Sequence, residues 1–420
     1  MATVGGVLTF VLAFVVLITI VVIVHEGGHY VLAKLSGIRV DEFAVGFGPR
    51  LLRFRRGETV YAVRVLPLGG FVRMAGMLGI EGEEDAGARN FYRASLWKKM
   101  LTVLAGIISN FILGAICLAI VATQSIPSGV TAAGPADRAG VRSGDTIISV
   151  NGMTIDSTST DAAASSLYSA TLSSNGLPVP VVLQHSDGSS ARGTITPHLV
   201  VYTGSGCQRE SVGVTQIDGH SVGNGDPARL LTGHTIGGVI ESSYSAARGH
   251  QPLDGLRLDN VSDGGTDGDG LHGAWRIGYS PGIPSKSPLS AIGAGISHVA
   301  GFIGDTARGL AEVVVHPSCA QQFSGPVGIA SAADDSFRAG AIPFINLIGL
   351  ISLSLGFVNV LPIPFLDGGR FLFLVIEGIR GRRLDPKHEA ATYAVGLAVL
   401  ILIFVAITLS DINNLSAGAR

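Results

Sequence analysis

Two histidines and a glutamate stand together in VVIVHEGGHYVLAK, residues 21–34, and their spacing suits metal chemistry. On a helix, His25 and His29 lie four residues apart and point the same way, so two imidazoles can hold one zinc ion. Glu26 beside them can take a proton from a water that zinc activates and later pass it to a leaving amine. The alternative is three polar residues at a membrane interface without a metal. The motif predicts a hydrolytic zinc site that needs a further ligand.

The third zinc ligand is expected from a distant segment, because catalytic zinc has three protein ligands and an open fourth position. Asp367, in NVLPIPFLDGGR at residues 359–370, is the aspartate in a matching apolar setting. The prolines before it must interrupt a regular helix, and the two glycines after it permit close approach of the backbone. An aspartate that only caps the following helix is the alternative. We predict that Asp367 joins the two histidines around Zn²⁺.

The residues around these groups have the composition of a membrane protein. Hydrophobic residues make up 47% of the 420 residues and charged residues 14%, with a mean hydropathy of +0.46, which is too apolar for an ordinary soluble enzyme. A net charge of −2 gives no indication of a nucleic-acid partner. Four segments without Asp, Glu, Lys, Arg or His are long enough to cross a bilayer: residues 2–24, 100–121, 339–366 and 390–410.

The chain therefore divides into four spans and the segments between them. The predicted parts are a first span at 1–35 with the H-E-x-x-H motif, a β-rich cytoplasmic or membrane-associated region at 36–95, a second span at 96–122, an α+β domain at 127–200, a Gly- and Asp-rich insertion or extension at 201–285, an amphipathic interfacial segment at 286–338, a third span at 339–380 with the LDGG sequence, and a fourth span at 388–411.

The distribution of Lys and Arg predicts the orientation of the spans. Residues 34–99 carry twelve of these cations, whereas the much longer stretch 122–338 carries eleven. The positive-inside rule places residues 34–99 and 367–389 in the cytoplasm and residues 122–338 outside. The first and third spans then run in the same direction, so their inner ends lie at the same depth and the histidines can meet Asp367.

The segments outside the spans give weaker signals. Residues 36–75 contain short β-branched and aromatic runs cut by Gly and Pro, which predicts hairpins at the membrane. The order of turns and strands in GPADRAGVRSGDTIISVNG, residues 134–152, resembles that of PDZ domains, and another small β-rich domain is the alternative. Residues 201–275 are rich in Gly, Ser and Asp and predict a flexible insertion. Apolar residues at helical spacing predict an amphipathic helix at 287–315.

Taken together, these motifs make the chain similar to the bacterial site-2 proteases, a family of intramembrane zinc metalloproteases. The shared features are HEGGHY in the first span, the Gly-rich stretch ending PLGGFVRMAG, Asn110 in AGIISNF, the PDZ-like order, FSGPVGIA at 323–330 and NVLPIPFLDGG. The chain departs from many relatives at Ile107, where they have proline, and in having one clear PDZ-like module where they have two.

The resemblance implies roles for individual residues. His25, His29 and Asp367 would be the zinc ligands and Glu26 the general base. Asn359 would hydrogen-bond the substrate backbone or the oxyanion, and a packing role within the span is the alternative. The β-like region would offer a strand edge to a substrate helix, which must unwind before its peptide bonds can be hydrolysed.

The resemblance also implies a function: hydrolysis of peptide bonds in or near transmembrane segments of membrane proteins whose exterior part another protease has already removed. The substrate would be a single-span membrane protein, such as an anti-sigma factor or a signal-peptide remnant. The protein would lie in the bacterial cytoplasmic membrane, with its active site near the cytoplasmic face and the PDZ-like domain outside. The rival hypothesis is a non-catalytic membrane adaptor with a PDZ-like partner-binding domain.

Overall fold

Long apolar runs form helices, and shorter β-branched runs separated by glycine turns form strands. The computed structural model describes residues 4–77, 87, 89–125, 128–130, 134–156, 160–203, 210–240, 252–257, 261–263, 271–277, 279–280, 282, 285–315, 325–382 and 386–418. Two compact units are present: a helical unit (Met1–Ala122, Ser287–Ala307 and Phe323–Ala417) and a strand-rich unit (Thr123–Lys286, Arg308–Gln322 and Gly418–Arg420).

The α-helices among the described residues are α1 (Val4–Leu35), α2 (Leu96–Ala122), α3 (Pro135–Arg138), α4 (Thr160–Leu172), α5 (Pro227–Leu231), α6 (Pro288–Val315), α7 (Pro326–Ala339), α8 (Ala341–Val360), α9 (Asp367–Arg380) and α10 (Pro386–Gly418). The strands are β1 (Val40–Arg56), β2 (Thr59–Met74), β3 (Gly129–Val130), β4 (Thr146–Val150), β5 (Met153–Thr154), β6 (Val179–Gln184), β7 (Ser190–Ile195), β8 (His198–Thr203), β9 (Glu210–Ile217), β10 (His220–Ser221), β11 (Thr235–Ile240), β12 (Pro252–Arg257), β13 (Val261–Asp263), β14 (Leu271–Arg276) and β15 (Tyr279–Ser280).

Four of the described helices are long and apolar enough to cross a membrane, at Leu8–Leu35, Leu96–Ala122, Ala341–Val360 and Ala391–Leu409. This confirms the predicted number of spans. The first helix continues to Leu35 and includes the histidine motif, as in the predicted span at 1–35. The predicted third span at 339–380 is divided: α8 ends at Val360, because the proline-containing segment that follows separates it from α9.

Small residues set the distances between the spanning helices. A Cβ atom on Gly28 of α1 would lie within 3.0 Å of the Ala105 carbonyl of α2. A Cβ atom on Gly114 of α2 would lie equally close to Leu353 of α8. Glycine at such positions lets two backbones approach closely, which is how helices gain packing contacts where lipid provides no hydrophobic driving force.

β1 and β2 form a sheet that packs against α1. The first part of β1 pairs with two different parts of β2, since Ala44 is aligned with Phe71 and also with Ala62. Glu42 on this strand is fully buried, and its carboxylate forms ion pairs with three arginines: Arg50, Arg64 and Arg73. Side chains from α1, the sheet, α2 and α9 form one core, which comprises Ala33, Ile38, Val40, Val72, Met74, Phe91, Val103 and Leu374.

The predicted amphipathic helix is present as α6, and it packs on the protein through small residues. Gly295 lies against α2, where an added Cβ atom would meet the Ala115 carbonyl within 3.0 Å. Ile292 and Ile296 are more than half exposed. The helix therefore packs through its small residues and leaves its large apolar residues uncovered by the protein.

In the strand-rich unit, one sheet has the strand order β5-β4-β6-β7. Its core contains buried side chains from β4, β6, β7 and α4: Ile147, Val150, Val179, Val181, Leu183, Ile195, Ala163, Leu167 and Ala170. A second sheet follows, with the strand order β12-β11-β9-β8-β14-β13 and β10 paired to β9. Its core is formed by Leu199, Val201, Val214, Leu231 and Ile236. These strands correct the expectation of flexible chain over the described part of residues 201–275.

The two sheets repeat one arrangement at an offset of 67 residues. Asn151-Gly152 and Asp218-Gly219 are matching turns in which all four residues have a positive φ angle. Each turn joins a long strand to a two-residue strand, and a helix begins at Thr160 or at Pro227. The long strand, β4 or β9, also pairs with the strand that follows the helix, β6 or β11. In both pairings the long strand has one extra residue, Ile148 or Thr215, three positions before the first residue of the turn. The second sheet therefore contains a second copy of the motif found in the first.

Candidate metal centre

His25, His29 and Asp367 meet in the helical unit, although 338 residues separate His29 from the aspartate. Asp367 Oδ2 lies 3.1 Å from Nε2 of His25 and 3.1 Å from Nε2 of His29. The two Nε2 atoms are 3.2 Å apart. Both histidines are buried, and the three side chains are the described group that could hold a metal ion.

The chemistry and spacing of these three atoms fit zinc. Two imidazole nitrogens and one carboxylate oxygen form a common ligand set of catalytic zinc. Ligand atoms about 2.0–2.1 Å from one ion in a tetrahedral arrangement lie about 3.3 Å from each other. The observed separations of 3.1–3.2 Å are close to that value. The group can therefore close around a zinc ion with little movement.

Helix α2 supports the two imidazoles along one stripe of its surface. The Nδ1 atom of His29 donates a hydrogen bond of 2.8 Å to the Thr102 carbonyl, which leaves Nε2 free to bind a metal. Gly106 makes room for both rings, since a Cβ atom there would lie within 3.0 Å of each of them. The side-chain amide of Asn110 lies 3.2 Å from Nδ1 of His25. Thr102, Gly106 and Asn110 follow one another at a spacing of four positions, so they lie on one face of α2.

Asp367 reaches the histidines because the chain before it folds back over the start of α9. Gly368 lies against the carbonyls of Val360 and Leu361, and Gly369 against that of Ile363, at distances that exclude a side chain. Phe365 has a φ angle of 83°, which is rare for a residue with a Cβ atom. The two glycines of the LDGG sequence are therefore required by backbone packing.

A buried ion pair connects the helix that carries Asp367 to α2. Nζ of Lys99 lies 2.7 Å from Oε1 of Glu377, and the lysine side chain is only 3% exposed. Lys99 lies at the end of the first turn of α2, and Glu377 lies in the last turn of α9. The pair fixes the C-terminal end of α9, whose N-terminal end presents the aspartate.

Glu26 lies between the metal-binding group and strand β2. The backbone N–H of Val72 donates a hydrogen bond to its carboxylate. Gly70 on the same strand lies against Glu26 and Val22, where an added Cβ atom would be 3.2 Å from Cγ of Glu26. The carboxylate also interacts electrostatically with His25, His29 and Asp367. Glu26 therefore lies beside both the candidate metal ligands and strand β2.

The remaining predicted site residue, Asn359, is buried in the final turn of α8. Its role in substrate binding stays a prediction. Sequence reasoning did not find the parts played by Thr102 and Gly106. The position of Gly106 four residues before Asn110 in α2 is the signal that could have pointed to the glycine, whereas Thr102 acts through its backbone carbonyl, which leaves no pattern in the sequence.

Comparison with known proteins places the chain in a family. The sequence model of peptidase family M50 matches residues 13–403. This is nearly the whole chain and includes all three predicted zinc ligands. The chain belongs to peptidase family M50. The match covers α1, α2 and α8 through α9, so the family assignment and the spatial grouping of His25, His29 and Asp367 concern the same helices.

Curated relatives of this M50 protein are zinc metalloproteases. Over 488 residues it is 25% identical to zinc metalloprotease RasP of Geobacillus kaustophilus, with 96% of this chain and 98% of the relative covered. It is 26% identical over 489 residues to the regulator of sigma-W protease RasP of Bacillus subtilis, with the same two shares covered. The RasP protein of Bacillus licheniformis is also 26% identical, with coverage of 96% and 99%.

These matches and the four apolar helices establish the general activity. The M50 protein is a multi-pass membrane protein and an intramembrane zinc metalloprotease of the site-2 type, and its cofactor is Zn²⁺. The predicted resemblance to the site-2 protease family is therefore confirmed.

Proposed function

We propose that His25, His29 and Asp367 hold the catalytic zinc ion of this M50 protein and that Glu26 is its general base. The observation that carries this assignment is the contact of both imidazole Nε2 atoms with one carboxylate oxygen at 3.1 Å. Bound zinc acts as a Lewis acid and makes water a nucleophile near neutral pH. Glu26 adjoins the group from the side of β2, where it can accept a proton from water and give it to the leaving amine.

We place the substrate along the free edge of β2. A transmembrane helix satisfies its own backbone groups, so a peptide bond within it becomes accessible only when the helix unwinds. The freed amides then need partners, and a strand edge supplies them in register. Residues 70–74 of β2 pair with β1 on one side, while the N–H of Val72 faces Glu26 on the other. A substrate strand added there lies beside the general base. In this arrangement Asn359, buried in the last turn of α8, would bind the substrate backbone or the oxyanion.

The proposed substrate is a single-span membrane protein that has already lost most of its exterior part. One relative is named a regulator of sigma-W protease, which favours an anti-sigma factor as the substrate class here, and a signal-peptide remnant has the same single-span form. The basic segments at 34–99 and 367–389 favour a position of the metal centre near the cytoplasmic face of the bacterial plasma membrane. The PDZ-like sheet of the strand-rich unit then lies outside, where it limits the size of the exterior part or binds its new C-terminus.

The test uses full-length protein with a single-span substrate in lipid vesicles. Glu26→Gln should reduce cleavage by at least about 100-fold, because the amide cannot accept the proton, while bound zinc stays near one ion per chain. Asp367→Ala should lose both zinc and cleavage. Glu389→Gln is the matched control, since its His388-Glu389 pair has no second histidine at the right spacing. Full cleavage by Glu26→Gln would contradict the base assignment. The non-catalytic adaptor hypothesis instead predicts no cleavage by the wild type or by any variant.

A further inference from the structure

The two proposed histidine ligands have different kinds of support on α2. His29 donates from Nδ1 to a backbone carbonyl, that of Thr102, which can only accept a hydrogen bond. His25 instead faces the side chain of Asn110, whose amide can donate or accept. The tautomer of His29 is therefore fixed by the backbone, whereas the tautomer of His25 depends on which end of the amide it meets.

The orientation of this amide decides whether His25 can bind a metal. With Nδ2 toward Nδ1 of His25, the imidazole nitrogen accepts, and its proton must lie on Nε2, where it blocks metal binding. With the amide turned by 180°, Oδ1 accepts a hydrogen bond from Nδ1–H, and the lone pair of Nε2 is free for zinc. Asn110 Oδ1 is buried and has no hydrogen-bond partner among the described residues, so no competing contact opposes this turn.

Helix α8 holds Asn110 in place for this role. Asn110 is 0% exposed. Its backbone carbonyl accepts a hydrogen bond of 2.9 Å from Oγ of Ser352, which is also fully buried. Gly356 lies one turn further along α8, where an added Cβ atom would be 3.3 Å from Cβ of Asn110. The side chain therefore keeps its position beside His25, and rotation of the amide is the freedom that remains.

We propose that Asn110 is a positioning residue of the metal centre: its amide oxygen accepts from Nδ1–H of His25 and selects the tautomer whose Nε2 binds zinc. This inference rests on the ligand set under Proposed function. Asn110 would then accept a hydrogen bond from Nδ1–H of His25, as the Thr102 carbonyl does from His29. Helix α2, which provides no metal ligand, then sets the state of both imidazoles.

The test measures the zinc affinity of purified full-length protein by competition with a chelator, so it does not depend on activity. Asn110→Leu has a similar size but no acceptor, and the loss of such a partner should weaken zinc binding about 10- to 100-fold. Asn110→Asp presents only acceptor oxygens, so it should bind zinc within about threefold of the wild-type affinity. If Asn110→Leu does not fold, Asn110→Ala takes its place, since it also lacks an acceptor.

Every pattern of results decides the question. Weak binding by the leucine variant with rescue by aspartate supports the inference. Equal binding by all variants overturns it, and so does a loss in the aspartate variant alone, which would mean that the amide donates to His25. A loss in both variants would show a packing role and also overturn it. Asp367→Ala is measured alongside: if zinc binding survives there, the proposed ligand set has failed, and not the role of Asn110.

Discussion

Gly27 and Gly28 are neighbours between the two histidines, but their surroundings differ. A Cβ atom on Gly27 would meet no heavy atom within 4 Å. A Cβ atom on Gly28 would lie within 3.0 Å of the Ala105 carbonyl and of Oγ of Ser109, both on α2. One glycine faces open space, and the other allows α1 and α2 to touch beside the metal centre.

We expect Gly28→Ala to destabilise the protein by about 1–3 kcal/mol, because an added methyl group at a close helix contact forces the backbones apart. Gly27→Ala should stay within about 1 kcal/mol of the wild type, with a gain from helix propensity. Thermal unfolding in one detergent measures both. Equal melting temperatures for the two variants would contradict the close α1–α2 contact.

At the scale of elements, the metal centre depends on how α9 is fixed to α2. Lys99→Met would leave Glu377 without this cation in a largely buried place. We expect a loss of roughly 2 kcal/mol, typical of a charged hydrogen bond, together with weaker zinc binding as α9 shifts. Thermal unfolding and chelator competition measure the two effects.

The control for this prediction is the exchanged pair, Lys99→Glu with Glu377→Lys. It restores the charge pairing and should recover part of the loss, whereas either change alone places two like charges together. Absence of any recovery would mean that the lysine acts through packing alone.

The elements also show what the sequence predicts well and what it does not. The spans are predicted by uninterrupted apolar runs. The proximity of Asp367 to the two histidines is predicted by the ligand number of zinc and by the prolines that follow α8. The second sheet was missed because its core residues, such as Val201, Val214 and Ile236, are separated by Gly, Ser and Asp that favour loops. The support of His29 was missed because a backbone carbonyl leaves no side-chain pattern. Long-range register, such as Asn110 opposite His25, depends on helix packing that local sequence does not encode.

At the scale of the whole molecule, acid should weaken the strand-rich unit at one buried carboxylate. Asp145 in the strand-rich unit is 3% exposed and lies 3.0 Å from Nδ1 of His185. Burial alone would raise the pKa of Asp145, but the N–H of Arg142 and the imidazole of His185 outweigh it and bring the pKa below its usual value. A lowered pKa in the folded state means that the carboxylate stabilises the fold above about pH 4 and that this contribution is lost as the pH falls further.

We therefore expect the sheet formed by β4 to β7 to exchange its amide hydrogens faster at pH 3 than at pH 5, after correction for the intrinsic rates. Asp145→Asn should be less stable at pH 6 and should show a smaller change between the two pH values, because no proton is taken up at this position. Hydrogen exchange with mass spectrometry of the full chain measures both. An unchanged pH response in the variant would assign the acid sensitivity to another group.

The 67-residue offset in the strand-rich unit also bears on the history of the gene. Matching turns, a matching helix start and an extra strand residue at the same place are unlikely to arise twice independently. Duplication of one coding segment accounts for all three. After such an event one copy can retain the ancestral task while the other accumulates substitutions and shortens its helix, as α5 is shorter than α4. The two halves of this unit are then related by descent.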